Sequence, residues 1–145
     1  MGGITNPTEE YFKDGCWGWD GTRWRKLNLL WGYYDRLVDQ QVNLNAAAGV
    51  NFLNHPAVPA GEVWVVTGCS AVDVNTATRI QLGMTCGAAA PVVYDYGTPM
   101  AGSWVATPAI NIVLKAGDLM WTLFVACTLN DDIYSNIWGY KMRVT

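Results

Sequence analysis

Hydrophobic positions recur with a period of two along most of the chain beyond residue 58. In "RIQLGMTC" (79–86), Ile80, Leu82, Met84 and Cys86 point one way, and Gln81, Gly83 and Thr85 point the other. "AINIVLK" (109–115) alternates again, with Ile110, Ile112 and Leu114 inward. "IYSNIWGYKMRV" (133–144) sets Tyr134, Trp138, Tyr140 and Met142 on one face. This alternation predicts strands with one buried face. Two runs depart from it. "EVWVVTGCSAV" (62–72) and "LMWTLFVACT" (119–128) are apolar at nearly every position, which predicts strands covered on both faces. "VVYDY" and "SWVAT" are shorter strands, and "GAAAP", "GTPMAG", "AGD" and "LNDD" separate the runs as turns.

The first part of the chain is patterned differently. Residues 1–12 have little period and read as an arm. "CWGW" and "RWRKL" flank "DGT", and Asp-Gly is a strong short-range hairpin signal. Residues 33–48, "YYDRLVDQQVNLNAAA", suit a strand better than a helix, because "NLN" disfavours a helix interior. The strand would carry Val38, Val42, Leu44 and Ala46 on one face. Gly49 then turns the chain into "VNFLN". The organisation expected is an N-terminal arm with a Trp-rich docking hairpin (1–32) and a β-sandwich domain (33–145). The fold class is all-β, an antiparallel, jelly-roll-like sandwich.

One short pattern occurs twice. "VPAGEVWVV" (58–66) and "LKAGDLMWT" (114–122) share an Ala-Gly-acid step at the start of an apolar strand. The glycine suits a positive φ, and the acid can bond back to turn amides.

Composition narrows the function classes. Half the residues (51%) are hydrophobic and only 14% are charged, so much surface is expected to be hidden in an assembly. The net charge of −3 provides no electrostatic footprint for nucleic acid. Arg23, Arg25 and Lys26 lie among tryptophans, but that cluster is small and suits a polar rim better than a base-stacking surface. No apolar stretch suits a membrane span. "MGGITNPTEE" lacks the basic and apolar regions of a signal peptide, so synthesis in a cytoplasm without export is expected. Cys16, Cys69, Cys86 and Cys127 show no C-x-x-C spacing, and the three inside apolar runs read as small buried hydrophobes.

Candidate chemistry is thin. His55 is the one histidine, in the loop "NHPAVP", and a surface position is expected for it. Asp131 and Asp132 are adjacent and point apart, while Glu62, Asp95 and Asp118 are scattered over turns, so no carboxylate pair is set up for glycoside hydrolysis. "AVDVNT" and "LNDD" are oxygen-rich enough to consider calcium, yet the charge is too dilute for a dedicated cage, and turn chemistry is the expectation. No phosphate-binding glycine motif occurs. No enzyme, cofactor or metal is therefore expected. Aromatic rings can stack on sugars, and Tyr134, Trp138 and Tyr140 form a stripe that could serve a glycan or a subunit interface.

"GCWGWDGTRWRKL", "VPAGEVWVVTGCSAV" and "IVLKAGDLMWTLFVACTLNDDIYSNIWGYKM" resemble segments of small β-sandwich virion proteins of tailed bacteriophages. Ala126 stands where such proteins would have a glycine before the cysteine. The resemblance implies a non-enzymatic structural subunit of the virion, a capsid decoration, head-fibre or tail-fibre protein. It would be homo-oligomeric, a trimer at first guess, and would dock on other virion proteins. The opening stretch "DGCWGWDGTRWRKLNLLW" (14–31) would then be the docking element, with Trp17, Trp19, Trp24 and Trp31 as anchors and Arg23 and Arg25 in the rim. The alternative is a carbohydrate-binding module or receptor-binding fibre tip that meets a host-surface glycan.

Overall fold

The computed structural model describes residues 16–19, 24–27, 33–107 and 110–143, with side chains from residue 35 onward. The described residues are all-β. The strands are β1 (Cys16–Trp19), β2 (Trp24–Leu27), β3 (Tyr33–Ala46), β4 (Gly49–Asn54), β5 (Glu62–Asp73), β6 (Ile80–Thr85), β7 (Val92–Gly97), β8 (Val105–Thr107), β9 (Ile112–Lys115), β10 (Leu119–Cys127) and β11 (Asp131–Arg143). Contacts divide the chain into two compact units, Met1–Tyr33 and Tyr34–Thr145.

In the first unit β1 and β2 pair antiparallel, with Trp19 opposite Trp24 and Trp17 opposite Lys26. The second unit contains two antiparallel sheets. One has the order β4-β10-β6-β7, and the other β3-β11-β5-β8, with β9 also paired to β5. The continuous apolar runs occupy the middle of these sheets. β5 lies between β11 on one side and β8 and β9 on the other, and β10 lies between β4 and β6. Side chains from neighbouring strands cover part of their outer faces, where Val65 and Val72 of β5 and Trp121 of β10 are buried, so the apolar residues need not alternate.

Inward-facing residues of both sheets form one core cluster. Leu37, Trp64, Val66, Leu114, Ile133 and Ile137 come from one sheet, and Leu53, Ile80, Leu82, Met120 and Phe124 from the other. Ile80 and Leu82 are buried and Met84 packs against the cluster, so the alternation in β6 is as its sequence predicts. β3 departs from expectation. Leu37 is buried, whereas Val38 (70% exposed), Val42 and Leu44 face outward, and Ala46 is buried only at the strand end. Asp39, Gln41 and Asn43 share the alternate positions with Leu37 and are half-buried. The parity is inverted because the inner side of β3 receives polar groups, described below.

The repeated Ala-Gly-acid steps form matching turns. Gly61 and Gly117 have φ of 80° and 87°. The amides of Glu62 and Asp118 donate to the carbonyls of Pro59 and Lys115, at 3.2 and 2.9 Å. The two turns also touch, since Gly117 N donates to Val58 O and Val58 N to Asp118 O. The acids then diverge. Asp118 Oδ2 accepts from Lys115 N at 2.9 Å, as expected of a turn acid, but Glu62 Oε2 accepts from the Trp64 indole N–H at 2.7 Å.

Phe124 is the largest fully buried side chain of the core. Phe124→Ala is expected to lower unfolding free energy by about 3–5 kcal/mol. Phe52→Ala, at a residue 57% exposed, should cost well under half of that. Chemical denaturation of both variants checks the contrast.

Candidate functional site

The outer face of the four-stranded sheet is apolar. Leu119, Trp121 and Leu123 of β10 alternate with the inward-facing Met120, Thr122 and Phe124. The register sets Trp121 between Asn54 of β4 and Gly83 of β6, and Leu123 between Phe52 and Gln81. The indole of Trp121 lies against Gly83 so closely that a Cβ there would enter the ring. Phe52 meets Trp121 edge-on, with ring centroids 6.0 Å apart. These residues, with Asn54, Thr85, Pro91 and Leu119, line an open groove of about 470 Å³. The indole N–H of Trp121 is buried there with no acceptor.

The five-stranded sheet repeats the device. Trp138 of β11 is opposite Gly68 of β5 and crosses the space a Cβ would take. Tyr134 is opposite Val72 and Tyr140 opposite Val65, and both valines are buried although they face outward. The stripe Tyr134, Trp138 and Tyr140 is therefore on one face, as the alternation predicts. It paves β5 rather than standing clear of it. Val38, Val42 and Leu44 of β3 and Val113 of β9 extend this apolar face.

Between the sheets runs a polar chain that no local pattern announces. His55 is 3% exposed, which corrects the surface position expected for it. Its amide is tied to Met120 O at 2.9 Å, and Pro56 ends the strand, so the ring turns inward. His55 Nδ1 lies 2.6 Å from Asp39 Oδ2, and Nε2 lies 2.9 Å from Ser135 Oγ. Ser135 Oγ is 2.6 Å from Thr122 Oγ1, and Gln41 Nε2 also donates to Asp39 Oδ2. With a neutral imidazole every group is satisfied: Nδ1–H donates to Asp39, and Nε2 accepts from Ser135, which accepts from Thr122. Burial pulls the His55 pKa below 6.5, outweighing the hydrogen bond and charge of Asp39.

The Asp39–His55–Ser135 order matches that of a nucleophilic triad. Its setting does not. Ser135 is 1% exposed, and its oxygen is enclosed by His55 and Thr122. A substrate carbonyl has no approach, so the chain satisfies buried polar groups and orients β3, β4, β10 and β11.

Three further side chains meet at one end of the sheets. Asp73, Cys127 and Asp131 are buried, and each has a ligand-type atom within 4.8 Å of those of the other two. Asp73 and Asp131 belong to "AVDVNT" and "LNDD", the loops considered separately for calcium. Turn chemistry is what they and Asp118 perform, as expected, since each accepts from turn amides, and those bonds also hold all three inside rather than in solvent. Cys127 and Cys69 are buried thiols as expected, while Cys86 is only half-buried. Burial raises the Cys69 pKa, and Cys69 Sγ lies 3.0 Å from Tyr94 OH.

Of the predicted docking residues, Trp17, Trp19, Trp24 and Arg25 lie on the paired strands β1 and β2, with Arg25 opposite Gly18. Trp31 and Arg23 lie outside the described residues. The residues missed by sequence reasoning are Phe52 and Trp121 of the groove and the whole polar chain. The continuous apolar run at 119–128 signals the first, since it demands cover on the outer face. The chain has no local signal, because its partners are separated by 16, 80 and 13 positions.

The depressed His55 pKa has a signed consequence. The folded state resists a proton that the unfolded state accepts near pH 6.5. Stability is therefore full above that pH, falls as pH drops through it, and levels off below the lower folded pKa. Denaturation midpoints from pH 8 to about pH 5 should show this loss, and His55→Gln should flatten it. A fluorophosphonate probe should leave Ser135 unlabelled in the native protein. Labelling would reopen the triad as a catalytic device. No protein-family model and no curated protein matches the chain.

Proposed function

We propose that the chain is a non-enzymatic structural subunit of a phage particle, a capsid decoration or fibre protein that associates with copies of itself and docks on other virion proteins. It would assemble in the host cytoplasm and reside in the virion. The observation that carries this reading is the edge strand β3. It is 14 residues long. Among the described residues it has a neighbour, β11, on one side only. Its outer face presents Val38, Val42 and Leu44. The edge carries its charges, among them Arg36 and the inward-facing Asp39, near the start of the strand, but from Val42 to Ala46 it has no charge and no proline, and such a stretch invites pairing with another chain. The occupant proposed is a second copy, within a closed ring such as a trimer.

The strand orders support reading the two sheets as a jelly-roll sandwich. The chain moves from β3 in one sheet to β4 in the other, back to β5, and across again to β6, as a jelly-roll wind would. That architecture is common in capsid and lectin domains. The β1–β2 pair serves in this reading as the docking hairpin.

One observation favours the alternative, a carbohydrate-binding module. The groove at Phe52 and Trp121 joins aromatic and aliphatic surface to the polar side chains of Asn54 and Thr85 in its wall. Flat apolar surface with a few polar groups suits a sugar ring.

Light scattering on the purified protein should give a defined multiple of 15.9 kDa. Val42→Lys should shift it toward the monomer by charging the β3 edge, and Trp19→Ala should weaken docking on particles without changing the fold. A monomer at all concentrations that binds a glycan, with Trp121 fluorescence changing on addition, would favour the module instead.

A further inference from the structure

We propose that Asp73, Cys127 and Asp131 form a site for a zinc-class divalent cation that clamps the ends of β5, β10 and β11. The inference is independent of the assembly reading. The three ligand-type atoms already lie within 4.8 Å of one another, at the end of the second unit where the two sheets' strands finish.

Asp73 points most directly to a ligand. The residue is 1% exposed. Its Oδ1 accepts from the amides of Asn75 and Thr76, at 3.1 and 3.0 Å. Its Oδ2 is buried and accepts from no amide or hydroxyl; what it meets is the Cys127 thiol and the Asp131 carboxyl. A carboxylate oxygen buried among such groups is costly and calls for a counter-charge or a proton. Among the described residues no basic side chain forms an ion pair with Asp73 or Asp131. What faces Asp73 is a thiol and a second carboxyl.

Hydrogen bonds hold the surrounding loops together. Asp131 Oδ1 accepts from Thr128 Oγ1 and Thr76 Oγ1, at 2.7 and 3.0 Å, and its Oδ2 accepts from Thr128 N. The two loops are cross-tied by Val74 N to Asp132 O at 2.9 Å and Asp132 N to Asn75 Oδ1 at 2.8 Å. Each ligand thus arrives with its backbone held. The two Oδ1 atoms are saturated by these bonds, which leaves Asp73 Oδ2 and the second lone pair of Asp131 Oδ2 for a cation.

The donor set selects the ion. Calcium takes six to eight oxygens, which this site does not offer. One sulfur and two carboxylate oxygens suit zinc, with a fourth position for solvent, and thiolate selects against magnesium and calcium. Without a cation, burial raises the Asp73 pKa, and burial with the Asp73 charge raises that of Cys127 to about 11. Burial also opposes ionisation of Asp131, but the hydrogen bonds from Thr128 and Thr76 win and lower its pKa. Binding would release the Cys127 proton, and any proton held by Asp73, to solvent, so affinity should rise with pH. No electron changes hands.

The test uses the full chain freed of metal by chelation. Zinc chloride titrated in a calorimeter should bind at one equivalent per chain and raise the melting temperature. Cobalt(II) should produce the near-ultraviolet charge-transfer band of a thiolate ligand. Cys127→Ser should abolish that band, and Asp73→Asn should weaken zinc binding at least tenfold. Should Cys127→Ser fail to fold, the chain carrying Cys16→Ser, Cys69→Ser and Cys86→Ser retains one thiol and must keep the band. The proposal is overturned by absence of zinc binding, by a band lost from that triple variant, by zinc binding unchanged in Asp73→Asn, or by calcium binding equally well.

Discussion

The ladder between β5 and β11 is the constraint on which the rest of the second unit depends. It runs from Ile133 opposite Asp73 to Trp138 opposite Gly68, shifts by one residue of β5 at a bulge, and continues from Gly139 opposite Val66 to Arg143 opposite Glu62. Because side chains alternate on either side of the bulge, the register assigns the residues of both strands to a face, and the bulge switches the inward positions of β5 from Trp64 and Val66 to Cys69 and Ala71. The ladder turns Val66, Ile133 and Ile137 into the core and sends Tyr134, Trp138 and Tyr140 outward across β5. It also brings Asp73 to the end of β11, where Asp131 begins that strand. A slip by one residue would expose the core and separate the acids.

The tryptophan-over-glycine contacts are a second consequence of register. Trp138 needs Gly68 opposite it, and Trp121 needs Gly83. A glycine within a strand weakens it locally, since it packs nothing and has more freedom to lose. A large ring laid on that bare backbone replaces the missing side chain and covers the peptide from water. Both sheets therefore carry a large aromatic ring on their outer face, among polar residues such as Asn136 on one and Asn54 and Gln81 on the other.

The interior is less uniform than its hydrophobic content suggests. The line from Asp39 through His55 and Ser135 to Thr122 crosses between the sheets and leaves each of its side chains with a partner. Fully paired, such a line favours one alignment of the strands, because any other leaves a buried donor or acceptor bare. The inverted parity of β3 follows from it. Asp39 must face inward, so Val38 must face outward, and the apolar edge that supports self-association is the other side of the same requirement.

The sequence by itself determined which stretches are strands, though not their ends (Asp131 and Asp132, read as turn, open β11), together with the apolar character of both faces of 62–72 and 119–128, the inner face of β6 and the two Ala-Gly-acid turns. Each depends on spacing or backbone geometry within a few residues, which local composition reports. The inward orientation of β3, the burial of His55 and the meeting of Asp73 with Cys127 and Asp131 were decided by tertiary structure alone. His55 sits in a loop whose composition reads as surface, and its partners are 16 and 80 positions away. Val38, Val42 and Leu44 read as a core face because alternation says which residues share a side but not which side is buried. That choice belongs to the partners across the sheet, and no stretch of sequence holds both halves of it.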